Sequence, residues 1–340
     1  MMTGGSSLGD FQVLAERAAA AGFAGLVVTE SGRTAYLSCA AAALSGADLD
    51  LATGVAVAFP RSPMVTASIA WELAEATGGR FRLGIGTQVR AHVERRYSSV
   101  FDPPGPRMRE YVLALRACFA AFRGAPLRFE GEHYALSLLP PMWSPGPIVV
   151  PDPPIDVAAV NPWMLRMTGE LADGVHVHPL NTPTYLAETL VPNLEAGAAR
   201  AGRSLDGFTV FLPMFSAAGN ADEQAHWRET SRTMVGFYGS TPNYAFVFDQ
   251  IGAPGTTAAL RAAQKAGDAA GMSAAVPDEV LDHFVLQGSW ADLPGLVAAR
   301  CRPLLERGLD VQPVLYHAGL TYGRDDDSFT SFGRTAAALR

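Results

Sequence analysis

Three cysteines in 340 residues, Cys39, Cys118 and Cys301, are too few and too widely spaced for a disulfide framework or a zinc knuckle. Lysine is scarcer still: Lys265 is alone among 26 basic residues. A lysine Schiff base would have to use it, in an Ala- and Gly-rich polar helix expected over Ala258–Gly271, and an anionic cofactor would have to rest on arginine, histidine and backbone N–H groups. Long apolar runs are missing, since Gly22–Val28 and Leu51–Phe59 fall far short of a bilayer span. The start, MMTGGSSLGD, shows neither a basic nor an apolar segment of a signal peptide, so a cytoplasmic protein is expected. Positive charge is in deficit, 26 Lys+Arg against 33 Asp+Glu for a net −7, which argues against nucleic acid or an anionic membrane as partner.

What is present is a large apolar fraction, 49% hydrophobic against 17% charged, the balance of a globular protein with a substantial core. The length allows two domains, or one α/β barrel with insertions. Asp10 is placed to cap a helix over Phe11–Ala21 that Gly22 closes, and Gly25–Glu30 then reads as a buried strand. Helix and strand alternate from there. Strands are expected at Leu49–Phe59, Arg80–Gly86, Ile155–Val160, Gly174–His178 and Phe208–Phe215, with helices at Tyr36–Leu44, Pro63–Thr77, Arg107–Arg123, Trp163–Leu171 and Tyr185–Ala201. With short strands at Met1–Gly4 and Leu309–Leu315 the count reaches eight, which closes a parallel (β/α)8 TIM barrel. Residues 1–320 form this single domain. Phe129–Pro154, rich in proline, reads as an irregular loop, and Tyr238–Gln287 as an insertion without a clear strand; both are placed to shape the barrel mouth. The tail, 321–340, is polar and reads as partly disordered from Tyr322 on.

Functional residues of such barrels lie at the C-terminal strand ends. Those ends carry Glu30, Gly54–Val55, Thr87–Gln88 with His92, Asn161, and His176 with His178. Gly84 and Gly86 are too few for a dinucleotide fingerprint and read as a tight strand exit. His176 and His178 face the same way, but with no third ligand, HExxH or CxxC no metal site is expected; a phosphate contact for His178 suits the scarcity of lysine. Glu30 ends an apolar strand, where a carboxylate is either paired with its own loop or functional. His92 follows Gln88 by four residues, so a helical turn would set them with Arg95 or Arg96 on adjoining faces; a plain surface position explains His92 equally well. No nucleophile elbow and no P-loop is present, so the chemistry falls to a bound cofactor.

The stretches AERAAAAGFAGLVVTE, ATGVAVAFPRSPMVTA and GGRFRLGIGTQVRAHVERRY resemble the luciferase-like flavin and deazaflavin oxidoreductases, most of all their F420-dependent branch. PPGPRMREYVLALRACFAAF, GELADGVHVHPLNTPTYL, FYGSTPNY and DEVLDHFVLQGS extend the likeness over most of residues 8–310. The resemblance implies a TIM barrel with an insertion between strands 7 and 8, a homodimer, and coenzyme F420, or in other members FMN, at the C-terminal mouth. It implies that Gly54 and Val55 form a strand bulge, often with a non-prolyl cis peptide, behind the ring. Thr87, Gln88 and His92 would contact ring and tail, and Ala159, Val160, Asn161 and His178 the phosphate. Two departures stand out. Relatives often place a histidine shortly after the strand 2 acid, where this chain has Glu30–Ser31–Gly32–Arg33, and a Gly-rich turn at strand 5, where it has AAVNPW.

The expectation is therefore hydride transfer between C5 of F420 and a small organic substrate. Glu30 and His92 are the candidates for proton transfer, and Gln88 for orienting one of them or the ring. The alternatives are an FMNH2-dependent monooxygenase and a cofactor-free barrel that binds a small molecule.

Overall fold

The computed structural model describes residues 1–316 and 326–340. Eight parallel strands run in chain order: β1 (Met2–Thr3), β2 (Gly25–Val28), β3 (Asp50–Thr53), β4 (Phe81–Gly86), β5 (Ile155–Ala158), β6 (Gly174–His176), β7 (Thr209–Ala218) and β8 (Asp310–Tyr316). Each pairs with the next, and β8 packs beside β1 to close the TIM barrel. Ala56–Val57 continues β3 beyond a break and pairs with Ile85–Gly86 of β4. Alternation along β4 decides which residues meet the helices: Phe81, Leu83 and Ile85 join the outer core. Arg82 instead bonds the fully buried Asp156 through Nε at 2.9 Å and Nη2 at 2.6 Å. Met2, Val27, Ala52, Phe211 and Val314 form the apolar interior of the barrel.

The first helices are α1 (Leu8–Ala21), α2 (Ala35–Leu44), α3 (Pro63–Ala76), α4 (Arg90–Arg95), α5 (Pro104–Phe122) and α6 (Pro162–Leu171). The cap of α1 is Ser7, not Asp10: the Ser7 hydroxyl accepts the Asp10 N–H at 3.2 Å, which puts Asp10 in the first turn near the positive end of the helix. The helix expected over Tyr185–Ala201 begins with a π turn at Leu186–Leu190 before becoming regular at Val191–Arg200.

Three expectations about the excursions are corrected. The proline-rich loop holds a small hairpin, Phe129–Glu130 with Ala135–Leu136, because the Glu110 carboxylate gathers the N–H groups of Glu132, His133 and Tyr134. The insertion after β7 is mostly helical and ends in a strand, Val285–Gly288, which pairs with Phe215–Ala218 where β7 outruns β6 and β8. The polar tail contains a helix, Asp326–Ala338, in which Phe329 and Phe332 are buried; the expectation for residues 322–325 lies outside the described residues. Phe329 meets Phe23 at 5.4 Å and Phe332 meets Trp290 at 4.9 Å, both edge-on. The polar composition hid an amphipathic stripe.

Phe332→Ala should therefore cost about 3–5 kcal/mol of stability, as truncation of a buried aromatic does. A urea midpoint equal to that of the parent protein would show that the C-terminal helix is dispensable.

Candidate active site

At the end of β3 the chain breaks its ladder, and the peptide between Gly54 and Val55 is cis, as the resemblance implies. This bulge is held from two sides. Glu30 Oε2 accepts the Val57 N–H at 2.7 Å and Arg61 Nη1 at 3.0 Å, while Oε1 accepts Arg61 Nη2 at 2.5 Å. The Arg61 guanidinium also lies 5.0 Å from the Tyr36 ring centre. Glu30, with 5% of its side chain exposed, is thus a fully engaged structural carboxylate. That corrects its assignment to proton transfer, because both oxygens are committed to a guanidinium and a backbone amide.

Beneath the bulge, glycine is required by close approach. A Cβ on Gly84 would lie 1.8 Å from the Thr53 carbonyl oxygen and 2.4 Å from His176 Nε2. On Gly86 it would lie 2.7 Å from Val55 Cγ2 and 3.3 Å from Ala158 Cβ. The glycines that read as a plain strand exit therefore admit His176 into the barrel and let Val55 and Ala158 close on Gly86. His176 stacks on Phe211 at 4.4 Å, its Nε2 is buried without a partner, and burial lowers its pKa to about 3. It is a neutral interior group.

Beside this shelf opens a cavity of about 650 Å³, lined among others by Thr87, Gln88, Arg90, Asn161, Trp163 and Asn243. Gln88 holds φ at 59°, a left-handed conformation rare for a side-chain-bearing residue, and its Oε1 accepts the Val89 N–H at 2.9 Å. The first turns of α5 and α6 border the same space, and Asn161 caps α6 by accepting the Met164 N–H at 3.0 Å. Arg90 is occupied by Glu94 and Asp102.

Across the mouth, His178 Nδ1 accepts the Leu180 N–H at 3.0 Å, which leaves the ring proton on Nε2. Burial holds this imidazole neutral, its pKa lowered to about 3. The ring stacks on Tyr244 at 4.3 Å and meets Tyr238 edge-on at 4.8 Å.

Of the residues expected at the site, Thr87, Gln88 and Asn161 line this cavity, while Gly54 and Val55 form the bulge at the end of β3 and His178 packs on Tyr238 and Tyr244. His92 is exposed in α4, whose cap is Val89, so Gln88 lies outside the helix and shares no helical face with it; the cavity wall ends at Ala91. Ala159 is buried in the outer core, and the Val160 carbonyl accepts the Tyr185 hydroxyl at 3.0 Å. Ala159 shares the outward face of Val157, and neither it nor Val160 lines the cavity. Lys265 lies exposed in the helix Thr256–Ala266 and lines none of this opening. Arg61, Tyr238 and Tyr316 went unassigned. Tyr316, the last residue of β8, could have been found from the rule that the C-terminal strand ends carry the site. Among the described residues one group, Glu110, Glu132 and His133, has ligand atoms within 4.8 Å of one another. Its Glu110 carboxylate already serves the three hairpin amides, and we assign it no metal. No helix among the described residues is long and apolar enough to cross a membrane.

The luciferase-like monooxygenase family pattern matches residues 1–306. The chain belongs to that family, whose members are enzymes. It is 38% identical over 292 residues to an uncharacterized protein of Mycobacterium tuberculosis (strain ATCC 25618 / H37Rv), covering 85% of this chain and 86% of that one. It is 31% identical over 268 residues to the 5,10-methylenetetrahydromethanopterin reductase of Archaeoglobus fulgidus, covering 77% and 76%. Its fold matches the coenzyme F420 dependent tetrahydromethanopterin reductase of Methanopyrus kandleri with a TM-score of 0.75 at 20% identity, over 98% of this chain and 97% of that chain.

Two outcomes follow from the site. Glu30→Ala strands Arg61 and frees the Val57 amide, and should cost about 3 kcal/mol in urea unfolding, with Glu30→Gln costing less because it keeps an acceptor for the amide; equal stability of all three proteins would show that the clamp does not hold the bulge. The histidines set an acid limit. Their folded pKa near 3 lies below the ordinary 6.5, so the unfolded chain binds more protons between these values. Stability is then full above about pH 6.5 and falls as pH drops toward 3. His176→Leu should make that fall shallower, which urea midpoints from pH 7 to 4.5 would measure.

Proposed function

We propose that the barrel mouth binds a deazaflavin of the F420 type and that the enzyme transfers a hydride between C5 of that ring and a small organic substrate. The observation that carries this is the clamped shelf. Val55 and Ala158 both close on Gly86, Glu30 and Arg61 hold the chain beyond Val55 at Val57, and from Thr87, next after Gly86, opens a cavity large enough for a cofactor tail. The residues present fit such a group: the shelf offers small, apolar contact to a planar ring and excludes water from its back face. Thr87, Gln88 and Asn161 would line the tail, and because prolines occupy much of the first turns of α5 and α6, the backbone donors left for its anionic charge would be the N–H groups of Gly105 and Trp163. His178, a neutral Nε2–H donor, would face the ring or its phosphate. The bound deazaflavin supplies two-electron hydride chemistry. The chain's own contribution is orientation, holding the substrate carbon over the exposed face within reacting distance. In this reading Glu30 positions the shelf and transfers no proton. The coenzyme F420 dependence named for the tetrahydromethanopterin reductase of Methanopyrus kandleri, whose fold this chain shares, supports the choice of cofactor.

Purified protein titrated with F420 and, separately, with FMN should bind F420 at micromolar concentration or tighter, read from quenching of cofactor fluorescence. Thr87→Trp, which fills the cavity, should weaken that binding at least about tenfold while leaving the thermal midpoint in place, since about 1.4 kcal/mol of lost contact is a factor of ten. Preference for FMN would favour the monooxygenase, and failure of both cofactors would leave a cofactor-free binding barrel.

A further inference from the structure

We propose that Arg90 is the anion clamp of the cavity, kept in readiness by Asp102, and that it exchanges the Asp102 carboxylate for a phosphate on the tail of the bound cofactor. The proposal deepens the deazaflavin reading above and rests on it. Among the described residues Arg90 is the one charged side chain that lines the cavity of about 650 Å³, and its present partners, Glu94 and Asp102, do not line it. Its guanidinium meets both Asp102 oxygens, Nη2 lying 2.5 Å from Oδ1 and Nη1 beside Oδ2, and Nη1 also donates to Glu94 Oε1 at 2.9 Å. The guanidinium carbon lies 5.0 Å from the ring centre of Phe101, itself a wall of the cavity, which sets the charged end of Arg90 at that wall.

A fork that meets two oxygens on one centre is also the geometry in which a guanidinium takes a phosphate. Asp102 is therefore a stand-in for the anion. All three side chains are about half exposed, Arg90 at 51%, Glu94 at 42% and Asp102 at 54%, so water competes for both pairs and the fork changes partners at little cost. A phosphate inside the cavity also meets the walls that carry the backbone N–H groups of Gly105 and Trp163, an aid that a carboxylate outside the cavity lacks. The residues that the resemblance assigns to the phosphate do not serve it here: Ala159 and Val160 line none of this space, and Asn161 turns its Oδ1 to the Met164 N–H of its own helix. The remaining polar lining, Thr87, Gln88, Asn161, Thr241 and Asn243, is neutral and suits the uncharged stretch between ring and phosphate.

The exchange gives the two charges opposite signs in binding. Asp102 competes with the ligand for one fork, so removing its charge raises the affinity for a phosphate-bearing tail, whereas removing Arg90 lowers it. Neither change touches a ligand that has no phosphate. The released Asp102 carboxylate turns to the water that already reaches it.

The test titrates the full-length protein with F420 and with its phosphate-free deazariboflavin core, read from quenching of cofactor fluorescence, with FMN and riboflavin as a matching pair. Asp102→Asn should tighten F420 binding at least about threefold and Arg90→Gln weaken it about tenfold, the loss of one charge-assisted contact, while deazariboflavin affinity stays within about twofold in both. Arg95→Gln removes a neighbouring positive charge outside the cavity wall and should change neither affinity. Should Arg90→Gln fail to fold, Asp102→Asn decides alone. Unchanged or weakened F420 binding in Asp102→Asn, or equal effects on the two ligands, overturns the proposal. Binding of FMN in place of F420 carries the same pattern to FMN against riboflavin and counts against the choice of cofactor alone; binding of neither overturns both.

Discussion

One carboxylate sets the geometry of the mouth. Glu30 is drawn out of water by its place at the end of an apolar strand, where a guanidinium and a backbone amide meet its two oxygens. A charge so placed stabilises little compared with an apolar filling of the same space, yet its loss leaves Arg61 stranded. What it provides is definition. The chain after the Gly54–Val55 turn could settle in several ways, and the bond from the Val57 amide selects one. Val55, Gly86, Ala158 and the cavity beyond take their relative positions from that choice.

The fold was largely legible in the chain, for reasons that can be named. Short β-branched runs ending in polar residues, separated by apolar stripes at helical spacing, admit few arrangements other than a parallel sheet with helical crossovers, and eight of them close. Reading failed where local composition and tertiary contact disagree. The acidic run Asp325–Asp327 gives the tail its polar look, and that polarity masked Phe329 and Phe332, which matter only because Phe23 and Trp290 wait for them. Ser7 displaced Asp10 as a cap by a few residues, a scale that pattern cannot resolve.

The candidate site was legible in part. The local features that marked Gly54, Val55, Thr87, Gln88 and Asn161 are present, a break after β3 and a cavity wall after β4 and β5, and could be read because strand ends and turn residues are visible locally. Roles that depend on a partner far along the chain could not. Glu30 looked like an acid because Arg61, 31 residues on, could not be matched to it by spacing alone. Tyr238 and Tyr316, 78 residues apart, become a pair only when the barrel closes. His92 was drawn in by its distance from Gln88, which would be a helical neighbour had the helix not started at Arg90.

The interior of the cylinder is filled along its length, by Arg82 paired with Asp156 and by His176 stacked against Phe211. No channel therefore runs through to the opposite end among the described residues, and everything that enters at the rim must leave by the rim. Were a ring to seat against the shelf as proposed, a molecule resting on its outward face would block the ring's own exit. On that proposal traffic would be last in, first out: the small reactant would depart before the larger one could be exchanged, and a plugged axis would give the kinetics a compulsory order.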